Sequence, residues 1–195
     1  MRLINTYIIA FSFLVIGCKN QNSDIKYYPH KNQYQNKETI NLNLQNSSLN
    51  FKDINSLVNT NFKNQKRTLI TFKDENGFEK IIIPLVLVEL KKRNVLSITK
   101  DSILIDSGHK ISRLKTILKR HYTNNGQNFR YPKSSQKAVV EITLELDDSA
   151  EVLKESLANL TKVFGEINNE IKEDLQLRII FSVFRHIPPP PPNNN

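Results

Sequence analysis

Between Lys137 and Leu146 the chain alternates. Val140, Ile142, Leu144 and Leu146 fall on one side of an extended backbone, and Glu141, Thr143 and Glu145 on the other. That is the pattern of a strand with one buried face. The period then changes: Ala150, Leu153, Leu157, Leu160, Phe164, Ile167 and Ile171 recur three and four apart, which predicts a long helix with a continuous apolar stripe. Asp148, with Glu151 three residues on, is its expected cap. Gly165 inside it costs about 1 kcal/mol of helix propensity. A last strand is expected from Leu175 to Ile187, with Leu175, Leu177, Ile179, Phe181 and Val183 sharing a face. Pro188 to Pro192 can join neither sheet nor helix and predict a short polyproline II tail.

Upstream, Thr68–Phe72 and Phe78–Ile83 are β-prone runs joined by Asn76-Gly77, a hairpin signal. Pro84 marks the second run as an edge strand or a strand end. Leu85 to Leu90 either continues extended or begins a short helix. A second hairpin is expected from Val95–Thr99, Lys100-Asp101 and Ser102–Asp106, with Ser107-Gly108 turning out of it. Ser112 is the expected cap of a helix carrying Leu114, Ile117, Leu118 and Tyr122 on one face. Arg113, Lys115, Lys119 and Arg120 cover the remaining faces, and Asn124-Asn125-Gly126 ends it.

Residues 19–64 are polar and rich in Asn, Gln, Lys and Ser, with scattered apolar positions such as Leu44, Phe51, Ile54 and Val58. Residues 18–65 are therefore expected to be a disordered tether with one weak helix near Asp53–Asn59. Ahead of them Met1-Arg2 is basic, Tyr7 to Ile16 is apolar apart from Ser12, and Val15-Ile16-Gly17-Cys18 closes the run. This has the architecture of a secretory signal, and its end resembles the bacterial lipobox. The resemblance implies removal of residues 1–17 and acylation of Cys18, the only cysteine. The run is too short for a membrane span of about 20 apolar residues. The expected organisation is a signal peptide (1–17), lipidated Cys and tether (18–65), a folded domain (66–187) and a tail (188–195).

A single, acylated cysteine excludes disulfides and thiolate metal sites. The chain carries a net charge of +9, unevenly placed. Residues 81–135 hold 11 Lys and Arg against 3 Asp and Glu, whereas residues 136–195 hold 6 against 10. Such a domain either meets an anionic surface with one side or neutralises one element with the next. Nucleic acid is not an expected partner for a chain routed out of the cytoplasm.

Candidate chemistry is sparse. His30, His109, His121 and His186 lack metal-ligand spacing and read as surface or turn histidines. Asp147-Asp148 reads as a strand end and a cap. Ser134-Ser135 has no partner His. With five glycines there is no phosphate-binding loop. No catalytic, cofactor-binding or metal-binding residue is expected, and the chain reads as no enzyme. Tyr122, Phe129 and Tyr131 lie among basic residues in and around a loop from Thr123 to Gln136. The candidate polyanion-binding set is Arg113, Lys115, Lys119, Arg120, Arg130 and Lys133.

From Leu96 to Leu114 the hairpin with its Lys100-Asp101 turn, the Ser107-Gly108 turn, the Ser112 cap and Leu114 resemble the start of the periplasmic domain of the ExbD/TolR family. Ala138 to Asp147 and the long helix after it resemble that family's next strand and second helix. The resemblance implies an α+β domain that works through partners, by dimerisation or by cell-wall association. The family's transmembrane Asp has no counterpart, since residues 3–17 hold no acidic residue, and no functional residue carries over.

The expected fold class is α+β. A small mixed or antiparallel sheet carries two helices on one face, ordered strand-strand-helix-strand-helix-strand, after a hairpin and the tether. The expected function is that of a non-enzymatic, lipid-anchored envelope protein, on the periplasmic or surface side of the outer membrane. Its partners would be the membrane, another envelope protein, peptidoglycan or a second copy. The alternatives are a ligand-binding, adhesin or immunity-type lipoprotein, and an enzyme with an unrecognised site.

Overall fold

The computed structural model describes residues 25–33, 37–86, 89–171 and 173–184. The signal segment, Cys18, His186 and the proline-rich tail lie outside the described residues.

The domain is α+β, with two mixed sheets and three helices among the described residues. The first sheet has the order β1-β4-β3-β2, built from β1 (Lys26–Tyr28), β2 (Thr39–Asn43), β3 (Arg67–Lys73) and β4 (Glu79–Ile82). β3 and β4 form the expected hairpin, and Gly77 takes the positive φ that its turn requires. β2 and β3 run parallel, joined by helix α1 (Phe51–Lys63).

The second sheet has the order β7-β6-β5-β8-β9, built from β5 (Val95–Ile98), β6 (Ser102–Ile103), β7 (His109–Lys110), β8 (Val139–Leu144) and β9 (Ile179–Val183). β5 and β8 are parallel, with α2 (Leu114–Thr123) in their connection. β8 and β9 are parallel across α3 (Ala150–Glu170). The segment after β4 stitches the sheets together: Ile83 N donates to Tyr28 O, and Leu85 N to Ile179 O on the outer edge of β9, each at 2.8 Å.

One apolar core runs through both sheets. Along β8, Val140, Ile142 and Leu144 turn inward as the alternation requires, toward Leu153, Leu157 and Leu160 of α3. Tyr122 of α2 stands edge-on to Phe164 of α3, with ring centroids 5.4 Å apart.

The largest correction concerns residues 18–65. From residue 25 on, the described part of this stretch supplies β1, β2 and α1 rather than a tether, and α1 contains the helix expected near Asp53–Asn59. Its few apolar residues looked scattered because the segment is polar on average. Yet Leu44, Phe51, Ile54 and Val58 are all buried, and Phe51, Ile54 and Val58 form one face of α1. Phe51 meets Phe181 of β9 edge-on, with centroids 5.7 Å apart. The start of α1 is tied to the β8–α3 turn. Phe51 N donates to Asp148 O at 2.7 Å, Lys52 N to Leu146 O at 3.0 Å, and Ala150 N to Leu49 O at 3.0 Å. Those bonds satisfy amides that a helix start leaves unpaired.

Smaller differences have local causes. Ser149, not Asp148, caps α3, its Oγ accepting from Val152 N. β8 ends at Leu144, and Asp148 instead closes the turn by accepting from Glu145 N at 2.8 Å. Ser112 falls within a 3-10 turn, and α2 starts after Arg113 without a side-chain cap. β4 ends ahead of Pro84 and lies inside its sheet, not at an edge. Leu175 and Leu177 are buried, but pairing with β8 runs only from Ile179 to Val183.

Candidate functional site

Because α2 and α3 cover one side of the second sheet, the side chains that alternate away from them decide what the other side can do. Val95 and Ser97 of β5, Glu141 of β8 and Ile180 of β9 point there, into an open groove of about 1160 Å³. Strand register orders the floor. Leu104 follows β6 and donates its N–H to Ser97 O at 2.8 Å, so Leu104, Ser97, Glu141 and Ile180 form one row. Val95 and Val139 form the row before it, and Arg93 precedes Val95 by two residues.

The walls come from loops. The β6–β7 turn contributes Leu104, Ile105 and Asp106, and the α2–β8 loop contributes Phe129 and Arg130. Arg130 clamps the two loops by an ion pair to Asp106 at 2.7 Å. Phe129 is left 79% exposed and Leu104 47% exposed. Leu90, Lys92 and Arg93 border the groove after β4. Within it Ser97 Oγ donates to Glu141 Oε2. The Nε of Arg93 is buried without a hydrogen-bond partner. The site thus offers apolar wall, cation and acceptor carboxylate side by side, an arrangement suited to holding a ligand of mixed chemistry.

The structure does not gather the six candidate polyanion-binding residues on one free surface. Lys115 pairs with Glu166 at 2.8 Å and Glu170 at 2.9 Å, and Lys119 pairs with Glu170 at 2.7 Å. The hydrogen bonds from Lys119 and Lys115 hold the Glu170 carboxyl at about 2, well below the usual range. The same pairs raise the Lys115 ammonium. The basic helix α2 and the acidic end of α3 therefore meet side by side. Arg113 lies 3.3 Å from His109 Nδ1, and Arg120 stacks on the buried ring of Tyr131 at 4.5 Å. Lys133 is exposed and packs near Gly126. Of the six, Arg130 alone lines the groove.

His121 is not a surface histidine. It is buried, with Nε2 3.2 Å from Val139 O, and desolvation lowers it to about 4 against the opposing pull of the Val139 and Asn94 backbones. His109 lies in β7, an edge strand of two residues, rather than in a turn. His30 joins the end of β1 to the segment before β9, with Nδ1 2.7 Å from Gln176 Nε2. No group of three or more His, Cys, Asp or Glu among the described residues is placed to hold a metal. No described helix is long and apolar enough to cross a membrane.

Glu141 was visible in the sequence as an outward residue of an alternating strand. Its neighbours in the groove depend on register across four chain segments, which no local pattern carries. The run Lys91-Lys92-Arg93 was the one signal on the far side.

No family model matches the chain, and neither the curated proteins nor the solved structures contain one similar to it.

Proposed function

We propose that this chain is a lipid-anchored, non-enzymatic protein of the cell envelope that binds a partner protein through the open face of its second sheet. The observation that carries this reading is the groove. One side of the sheet is sealed by α2 and α3, and the other keeps Phe129 and Leu104 in water beside Arg93 and Glu141. Exposed apolar residues clustered in a concavity mark interaction sites on soluble domains.

The signal-like start ending at Cys18 supports the anchor. Lys26, the first residue of β1, is eight residues beyond it. At about 3.3–3.6 Å per residue the domain can then stand no more than roughly 29 Å from the acylated sulfur. It works close to the bilayer surface. The order β5-β6-α2-β8-α3-β9 supports an ExbD/TolR-like scaffold set on this anchor, with β7 added at the edge.

Site-specific photocross-linking in cells tests the reading. A benzophenone side chain at position 129 or 104 should give discrete protein adducts in the envelope fraction. The same group at exposed position 116 of α2 should give none. Equal labelling from all three positions, or no adduct at 129 and 104, contradicts it.

A further inference from the structure

Charge in the groove is unevenly satisfied. Asp106 is taken by Arg130 at 2.7 Å, and Glu141 receives the Ser97 hydroxyl. Lys92 and Arg93 enter no ion pair among the described residues, and the buried Arg93 Nε has nothing to donate to. A carboxylate answers a guanidinium best, by charge and by planar geometry. Glu141 makes the opposite demand. Ionised, it only accepts, and one hydroxyl leaves most of its lone pairs free for N–H donors.

The two demands are spaced. Arg93 lies in the 3-10 turn Lys92–Asn94 that leads into β5, four residues before the row of Ser97 and Glu141, and so at most about 13 Å of chain from it. Beside that line lie the exposed faces of Leu104 and Phe129.

We propose that the groove binds an extended peptide segment of a partner protein, with a carboxylate on Arg93, a large apolar side chain against Phe129 and Leu104, and main-chain N–H groups donating to Glu141. An extended peptide spans the distance with about four residues and carries all three chemistries in one chain. An acyl chain would cover Glu141 without bringing a donor. A polyanion would set repeated negative charge against Glu141 and Asp106. The proposal rests on this face being the binding face and is independent of the acyl anchor.

The probe is a randomised seven-residue peptide library displayed on phage and panned on the full chain in detergent micelles. Enriched sequences should place Asp or Glu within about four residues of a large apolar residue. A synthetic peptide from that pool should bind about tenfold more weakly to Arg93→Gln and to Phe129→Ala. Arg93→Glu should prefer the same peptide with its acid replaced by Lys. Phe129 is exposed, so its variant keeps the fold and the test stands even if the Arg93 variants do not. Three results overturn the proposal: enriched peptides without acidic bias, acidic peptides held equally by the parent and both variants, or no enrichment over empty micelles. Cross-links at position 129 together with unbiased peptides would leave the binding face standing and remove the acidic-peptide chemistry alone.

Discussion

Phe51→Ala separates a folded N-terminal stretch from a tether. Phe51 is fully buried, opens α1 and stands edge-on to Phe181 at 5.7 Å. Truncating a buried Phe to Ala costs about 3–5 kcal/mol, from lost transfer energy and the cavity left behind. An edge-to-face pair contributes about 0.5–1.5 kcal/mol beyond area, which places this variant in the upper half of that range. For a domain of this size each kcal/mol moves the melting temperature by about 2–4 °C, so a loss of about 4–5 kcal/mol should lower the melt by roughly 8–20 °C. Leu57, on the same helix but 41% exposed, is the control, and Leu57→Ala should stay within about 0.5 kcal/mol. Thermal and urea unfolding followed by circular dichroism read the melt and the free energy of both variants. A Phe51→Ala chain as stable as the parent would show that α1 is not part of the core, and the architecture argued from it would fall.

Three further outcomes follow from His121, Asp74 and Gly165. His121 is held at about 4 by burial, below its unfolded value of about 6.5. The unfolded chain therefore takes up the proton first, and stability falls as pH drops from about 6.5 toward 4. Unfolding at pH 7.5 and 5 should differ by about 2 kcal/mol through this residue, and His121→Gln should lose that share of the slope. Asp74 would be raised by its partial burial, but the bond and charge of Lys80 and the N–H groups of Phe78 and Asn76 hold it below its ordinary value. Its contribution is present above the unfolded carboxylate pKa and is lost as pH falls through the lower folded value. Asp74→Asn, which leaves the buried Lys80 unpaired, should cost roughly 2 kcal/mol at neutral pH, less than a fully buried orphaned charge because water still reaches the site. Gly165 sits inside α3, and beyond the helix's own backbone no atom of the described residues comes within 4 Å of where a Cβ would stand, so Gly165→Ala should stabilise the protein by about 0.5–1 kcal/mol in the same urea assay. A destabilised variant would place a neighbour over that face of the helix.

What could be read from the sequence was whatever had a long, single period. The stripe of α3 and the alternation of β8 are each continuous, and each is set by one face meeting one core. β2 was not readable, and α1 only as a weak helix near Asp53–Asn59, without its burial. The burial here rests on Leu44, just after β2, and on Phe51, Ile54 and Val58 of α1, four residues in a segment that is otherwise Asn- and Lys-rich. The value of each comes from docking onto β3 and β9 far along the chain. β7 is too short to carry a period. Asp148 and Ser149 are both good cap residues, and only the length of β8 decides between them. The α2 cations looked like a surface for anions until α3 brought Glu166 and Glu170 beside Lys115 and Lys119. In the groove, Phe129 was noticed for its basic neighbours. Its place beside Glu141 and Arg93 arises from the crossing of β5, β6, β8 and the loop before β8.

Whether Cys18 carries the proposed acyl anchor decides whether the domain works at a bilayer, and intact-mass spectrometry of the protein extracted from membranes tests it most directly. The account predicts a chain beginning at Cys18 that carries the added mass of acyl groups, with the thiol blocked. A chain that retains residues 1–17, with a free Cys18 thiol and no added mass, would contradict it.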